Sequence, residues 1–69
     1  MSLNSYIIKF ISQEEYGKHK EYLTELGEYC SITRNDTVMV MHRLTFEDSQ
    51  KIRELGINIS HDSSTINAL

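Results

Sequence analysis

The residues able to do acid–base or metal chemistry are few and widely spaced. The chain of 69 residues has histidines at positions 19, 42 and 61 and a single cysteine, Cys30. Metal and nucleophile motifs hold such groups at short, fixed spacings, and no such spacing occurs here. His61 stands beside Asp62, a pairing more typical of a turn than of an acid–base couple. The sequence therefore predicts no catalytic residue, no cofactor and no metal site, in a protein that is not an enzyme.

Length and charge narrow the class of protein further. The chain predicts one small domain over residues 1–69, with loose termini at 1–4 and 63–69. A lone cysteine forms no internal disulfide, so hydrophobic burial must stabilise the fold, and self-association would add burial. The net charge of −3 argues against a general nucleic-acid surface. We expect a cytoplasmic protein, since no run of residues is typical of a membrane span or a signal peptide.

A predicted β-hairpin lies at the centre of the chain. Two β-prone runs flank Asn35-Asp36, and a turn at this pair places Ile32 opposite Met39. Strand side chains alternate between two faces. The uniformly apolar set is assigned to the core: Cys30, Ile32, Met39 and Met41. The mixed set is assigned to a face without helices: Tyr29, Ser31, Thr33, Val38, Val40 and His42.

A strand and a helix are predicted on each side of this hairpin. Residues 6–11 predict a strand with Lys9 pointing away from the core, and residues 57–60 predict a short last strand. Ser12 and Thr45 are predicted N-caps of helices over 13–26 and 46–55. Each helix is followed by a glycine, the usual C-terminal stop. The inward residues of the first and last strands are predicted to be Ile8, Phe10, Ile57 and Ile59.

The element order is therefore β-α-β-β-α-β. With right-handed crossovers, this order predicts an α+β protein with the ferredoxin-like sandwich fold. Its four-stranded antiparallel sheet would have the strand order 4-1-3-2, with both helices on one face.

The face without helices is the candidate functional surface. Four aliphatic side chains at its centre would exceed the scattered exposure of a soluble monomer, which indicates an interface. The predicted interface residues are Ile7, Lys9, Ile11, Tyr29, Val38, Val40 and His42. The alternative is that the C-terminal tail covers this face with Ile66 and Leu69.

We expect a small interaction or regulatory module that forms a homodimer or binds another protein through this face. An RNA-recognition sheet is an alternative, but it needs aromatic residues on the central strands. A small enzyme of the dimeric α+β-barrel kind would need a polar pocket between helices and sheet. In length, in element order and in its opening strand, Tyr6-Ile7-Ile8-Lys9-Phe10, the chain resembles the propeptide-type inhibitors of subtilisin-like proteases. That resemblance implies a protease inhibitor, although the paired glycines common before the second strand are replaced by Leu26-Gly27-Glu28.

Overall fold

The structure is a computed structural model that describes residues 3–62. Its elements are β1 (Asn4–Phe10), α1 (Gln13–Glu25), β2 (Tyr29–Arg34), β3 (Thr37–Leu44), α2 (Phe46–Glu54) and β4 (Asn58–His61). The predicted order of elements is confirmed. β1 begins at Asn4, inside the segment expected to be loose, whereas the predictions for residues 63–69, including a tail over the sheet, lie outside the described residues.

The four strands form one antiparallel sheet in the order β2-β3-β1-β4. This is the predicted order, 4-1-3-2, counted from the other edge. The architecture is therefore α+β and consistent with a ferredoxin-like sandwich, with β1 and β3 as the central strands.

Local sequence determines where the helices begin and end. The hydroxyls of Ser12 and Thr45 each accept a hydrogen bond, 3.2 Å long, from the backbone N–H three residues later. This satisfies a donor that has no partner within the helix. Gly27 (φ 130°) and Gly56 (φ 83°) follow the last turns in the left-handed region, which disfavours residues with a side chain.

The core lies between one face of the sheet and the two helices. α1 contributes Leu23 and α2 contributes Ile52, both fully buried. The strands and the chain before β4 add the remaining apolar core residues: Tyr6, Ile8, Phe10, Val38, Val40, Leu44, Ile57 and Ile59. The inward assignments of Ile8, Phe10, Ile57 and Ile59 are thus confirmed. Helical spacing predicts Phe46, Ile52 and Leu55 as the inward stripe of the second helix. Ile52 is buried, but Phe46 and Leu55 are exposed because α2 contacts the sheet through its middle turn, Ser49 and Ile52.

The hairpin has the predicted register, but the predicted sides of its two faces are wrong. Ile32 pairs with Met39 across a turn in which Asn35 has φ 58°. The side predicted to be buried is the side away from the helices. Met41 is 40% exposed and Ile32 is 52% exposed, Met39 is half-buried, and Cys30 is exposed.

The pairing of β3 with β1 explains this reversal. Directly paired residues of antiparallel strands point to the same side of a sheet. Ile8 pairs with Val40, and Ile7 pairs with Met41. Since Ile8 faces the helices, Val40 must face them too, and Met41 must face away. The pattern of residues along the chain does not show which residue of β1 pairs with which residue of β3.

Candidate functional site: the open face of the sheet

The side of the sheet away from the helices presents two rows of paired residues. Cys30, Met41, Ile7 and Ser60 form one row across the four strands. Ile32, Met39, Lys9 and Asn58 form the next row. Arg34 and Arg43 extend the same side of β2 and β3 towards opposite ends of the sheet. We call this surface, made of these ten residues, the open face.

The centre of the open face is apolar and rich in sulfur. Ile7, Cys30, Ile32, Met39 and Met41, here named the apolar patch, lie on three adjacent strands. Cross-strand partners have Cβ atoms about 5 Å apart, so these side chains are in a continuous group. Methionine is flexible and polarisable, and it adapts to differently shaped partners. The patch therefore has the composition of an adaptable contact surface.

The charged residues among the ten of the open face are all positive. Lys9 lies beside the apolar patch, while Arg34 and Arg43 lie towards its two ends. None of the four strands in the described part of the chain contains Asp or Glu. The acidic residues of a chain with net charge −3 therefore lie outside these strands, and the open face is cationic on an acidic protein.

A shallow depression of about 400 Å³ lies at the hairpin end of the open face. Ile32 and Met39 from the apolar patch line it together with Arg34, Asn35 and Thr37. It could receive one aliphatic side chain while a neighbouring acidic group contacts the guanidinium of Arg34.

The structure divides the predicted interface residues between the two sides of the sheet. Ile7 and Lys9 lie on the open face as predicted. Ile11 is 81% exposed but follows the end of β1. The other four predicted residues point to the helix side. Tyr29 is half-buried there, and Val38, Val40 and His42 are buried. This assignment is corrected because the register with Ile8 turns them under the helices.

His42 has a structural role that the sequence did not reveal. Its Nε2 donates a hydrogen bond to the carbonyl oxygen of Leu23, 2.9 Å away, in the last turn of α1. Its ring stacks on Tyr29 with ring centres 5.2 Å apart. The same carbonyl also accepts from the backbone N–H of Leu26, so the His42 ring is a second donor that ties the end of α1 to β3.

The Tyr29 hydroxyl continues this polar cluster, lying 2.9 Å from the hydroxyl of Tyr16. Burial raises the pKa of Tyr16 above the ordinary 10.0, and the hydrogen bond with Tyr29 raises it further. A neutral tyrosine pair of this kind stabilises the contact between α1 and β2. It belongs to the packing of the helix layer rather than to the open face.

The other histidines do not assemble a metal site with His42. His19 stacks on Phe10, 6.0 Å between ring centres. Tyr6 pairs with both His42 and His61, so β1 separates the two histidines. Among residues 3–62, no group of three or more His, Cys, Asp or Glu could hold a metal ion.

The open face also lacks the platform on which RNA bases stack. The aromatic residues of the described strands are Tyr6 and Phe10, which are buried, and Tyr29, which packs against His42 on the helix side. The positions facing outward from the central strands carry aliphatic, sulfur-containing and cationic side chains. These favour contact with a protein over stacking with bases.

Sequence reasoning missed Cys30, Ile32, Met39 and Met41 as surface residues, although a signal was present. In the predicted hairpin register, Arg34 and Arg43 fall on the same face as these four residues. Unpaired arginines rarely lie in a core. The charge pattern of the hairpin was thus a better indicator of its outer face than its apolar content.

Comparison with protein-family models, curated protein sequences and solved structures gives no match for this chain. Neither helix of the described region is long and apolar enough to span a membrane.

Proposed function

We propose that the protein is a small, non-enzymatic interaction module that binds a protein through the open face. The observation that carries this proposal is the exposed apolar patch on a sheet face that no described element covers. Such patches on small domains usually serve as contact surfaces. The partner is another protein or a second copy of this chain.

The size of the open face sets the strength of binding to expect. Four strands spaced about 4.8 Å apart, over about six residues each, give a surface of roughly 14 by 20 Å. The ten residues of the open face are fewer than the roughly 20–30 residues that each partner contributes to a standard stable interface. Binding through this face alone should therefore be transient, with a dissociation constant in the micromolar range.

We also propose a cytoplasmic location. Cys30 is a free, exposed thiol at one side of the apolar patch. A thiol at a protein-binding surface is best preserved in a reducing compartment, since disulfides persist mainly in oxidising ones.

The test compares how strongly three proteins associate: the wild type and two double variants. Ile32→Asp with Met41→Asp places two carboxylates in the apolar patch. Phe46→Asp with Leu55→Asp is the matched control, because these side chains are also exposed, at 65% and 55%, but lie on or beside α2. Light scattering would measure self-association, and quantitative co-purification from the host cytosol would measure partners.

We expect the first variant to lose association and the control to retain it, with the fold of each checked by circular dichroism. Equal association of the three proteins, whether all assemble or none does, would contradict a binding role of the open face.

A second candidate is the protease-directed role. The resemblance to propeptide-type inhibitors rested on element order, and that order is the observation that favours this candidate. Incubation with subtilisin tests it through the rate of hydrolysis of a chromogenic peptide. Dose-dependent inhibition that survives prolonged incubation would support an inhibitor, and simple degradation of the chain would refute it.

A further inference from the structure

We propose that the occupant of the open face is an acidic amphipathic segment of another protein, whose aliphatic side chains cover the apolar patch while its carboxylates pair with Lys9, Arg34 and Arg43. This inference rests on the proposed function and names the chemistry of the partner.

The distribution of charge between the two layers is the first argument. The strands of the described region carry three cations and no carboxylate, and the cations all lie on the open face. α1 has four acidic and two basic residues, and α2 has three acidic and two basic residues. A partner approaching from the sheet side therefore meets positive charge, which selects for acidic groups through complementarity.

The same charges disfavour a second copy of the chain as the occupant. A two-fold dimer with open faces in contact would place the same surface on both partners. The two copies would together bring six cations into one interface, and no strand of the described region supplies a carboxylate to pair with them. Like charges brought together at an interface destabilise it. An acidic partner removes this repulsion and replaces it with ion pairs.

The shape of the surface agrees with an aliphatic partner. Met39 and Ile32 line a depression of about 400 Å³ whose rim includes Arg34. Lys9 lies beside Met39, at the side of the patch nearest β4. A segment crossing the patch would thus find apolar contact at the centre and a cation within reach on more than one side.

A designed peptide can serve as the probe. About fourteen residues in a helix span about 21 Å, which matches the estimated length of the face. The probe is a fluorescein-labelled, alanine-rich helix of this length with a leucine stripe flanked by glutamates. One control peptide replaces its glutamates with lysines, another replaces its leucines with glutamines, and a short oligouridine tests for RNA. Fluorescence anisotropy measures binding to the full chain.

Two charge-reversal variants make the test specific to the open face. Lys9→Glu with Arg34→Glu reverses two charges of the face. Lys18→Glu with Lys20→Glu reverses two exposed charges of α1, so both variants change the net charge equally. We expect the first variant to weaken binding of the acidic probe at least about tenfold and the second less than about threefold. Salt raised from about 0.05 to 0.5 M should weaken wild-type binding.

The possible outcomes separate this inference from the proposed function. Three results would each overturn the acidic partner. The lysine peptide could bind as tightly as the acidic probe, Lys9→Glu with Arg34→Glu could leave binding of the acidic probe unchanged, or oligouridine could bind more tightly than the acidic probe. If the acidic probe does not bind but wild type forms a dimer that Ile32→Asp with Met41→Asp dissociates, the occupant is a second copy. In that case the inference fails and the proposed function stands. If neither binding of the acidic probe nor association of the protein depends on the open face, the inference and the proposed function both fail.

Discussion

Shortening Val40 to alanine should destabilise the domain much more than shortening Met41, the next residue of β3. Val40 is fully buried against the helix layer, whereas Met41 is 40% exposed on the open face. Val40→Ala removes two buried carbons, worth about 0.8 kcal/mol each in transfer free energy. The cavity left behind raises the total to about 2–3 kcal/mol.

This loss is large compared with the stability of a domain of this size, which is on the order of 5 kcal/mol. Met41→Ala should lower the free energy of unfolding by less than about 1 kcal/mol, because much of its side chain is already in water. Alanine has a lower β-propensity than either residue, so that effect is present in both variants. The difference between the two therefore reports burial.

Urea unfolding followed by circular dichroism measures both values. With a slope near 1 kcal/mol per molar urea, the midpoint of Val40→Ala should fall by about 2–3 M, and that of Met41→Ala by less than about 1 M. A Met41 variant that loses as much stability as the Val40 variant would refute the side assigned to each face of the hairpin.

Three further outcomes follow from other parts of the structure. Asn35→Ala should lower stability by about 1 kcal/mol because Asn35 has φ 58°, whereas Asn35→Gly should not. Equal losses of stability in urea unfolding would count against strain at this turn. His42→Phe should lower the free energy of unfolding by about 1–2 kcal/mol and speed amide exchange in the last turn of α1, since the Leu23 carbonyl loses a donor. Unchanged amide exchange would contradict a tie between His42 and α1. Burial raises the pKa of Tyr16, so the folded state holds this proton more tightly than the unfolded state. The stabilisation is complete below about pH 10 and is lost as pH rises through the raised pKa. Tyr16→Phe should therefore show a smaller fall in stability in alkaline urea titrations, and an equally steep fall would argue against this linkage.

Local patterns predicted most of the fold because each acts over a few residues. Ser12 and Thr45 cap their helices as expected, and the turn at Asn35-Asp36 sets the hairpin register. Lys9 correctly placed Ile8 on the inner side of β1, because a lone cation is costly in a core. The β-α-β-β-α-β order then leaves few compact arrangements.

The side of the hairpin could not be derived in the same way. It depends on which residue of β1 pairs with which residue of β3, and the intervening helix and strand hide that offset from the sequence. Apolar content was misleading, since binding surfaces and cores use similar side chains. The valines on the helix side and the methionines on the other are both apolar, and only Arg34 and Arg43 distinguish the two faces.

The sulfur content of the open face makes its surface chemistry sensitive to oxidants. Two of the three methionines of the chain lie in the apolar patch, and the only cysteine is paired with one of them across the strands. Oxidation of methionine to the sulfoxide turns a flexible apolar side chain into a polar one, and an exposed thiolate is the first group to form sulfenic acid. Peroxide would therefore change the open face before it reached the core, where Val38, Val40 and Ile8 contain no oxidisable atom. An aged or aerated sample would keep its fold while presenting a different surface. Intact-mass spectrometry would detect the oxidation as an increase of about 16 mass units per added oxygen.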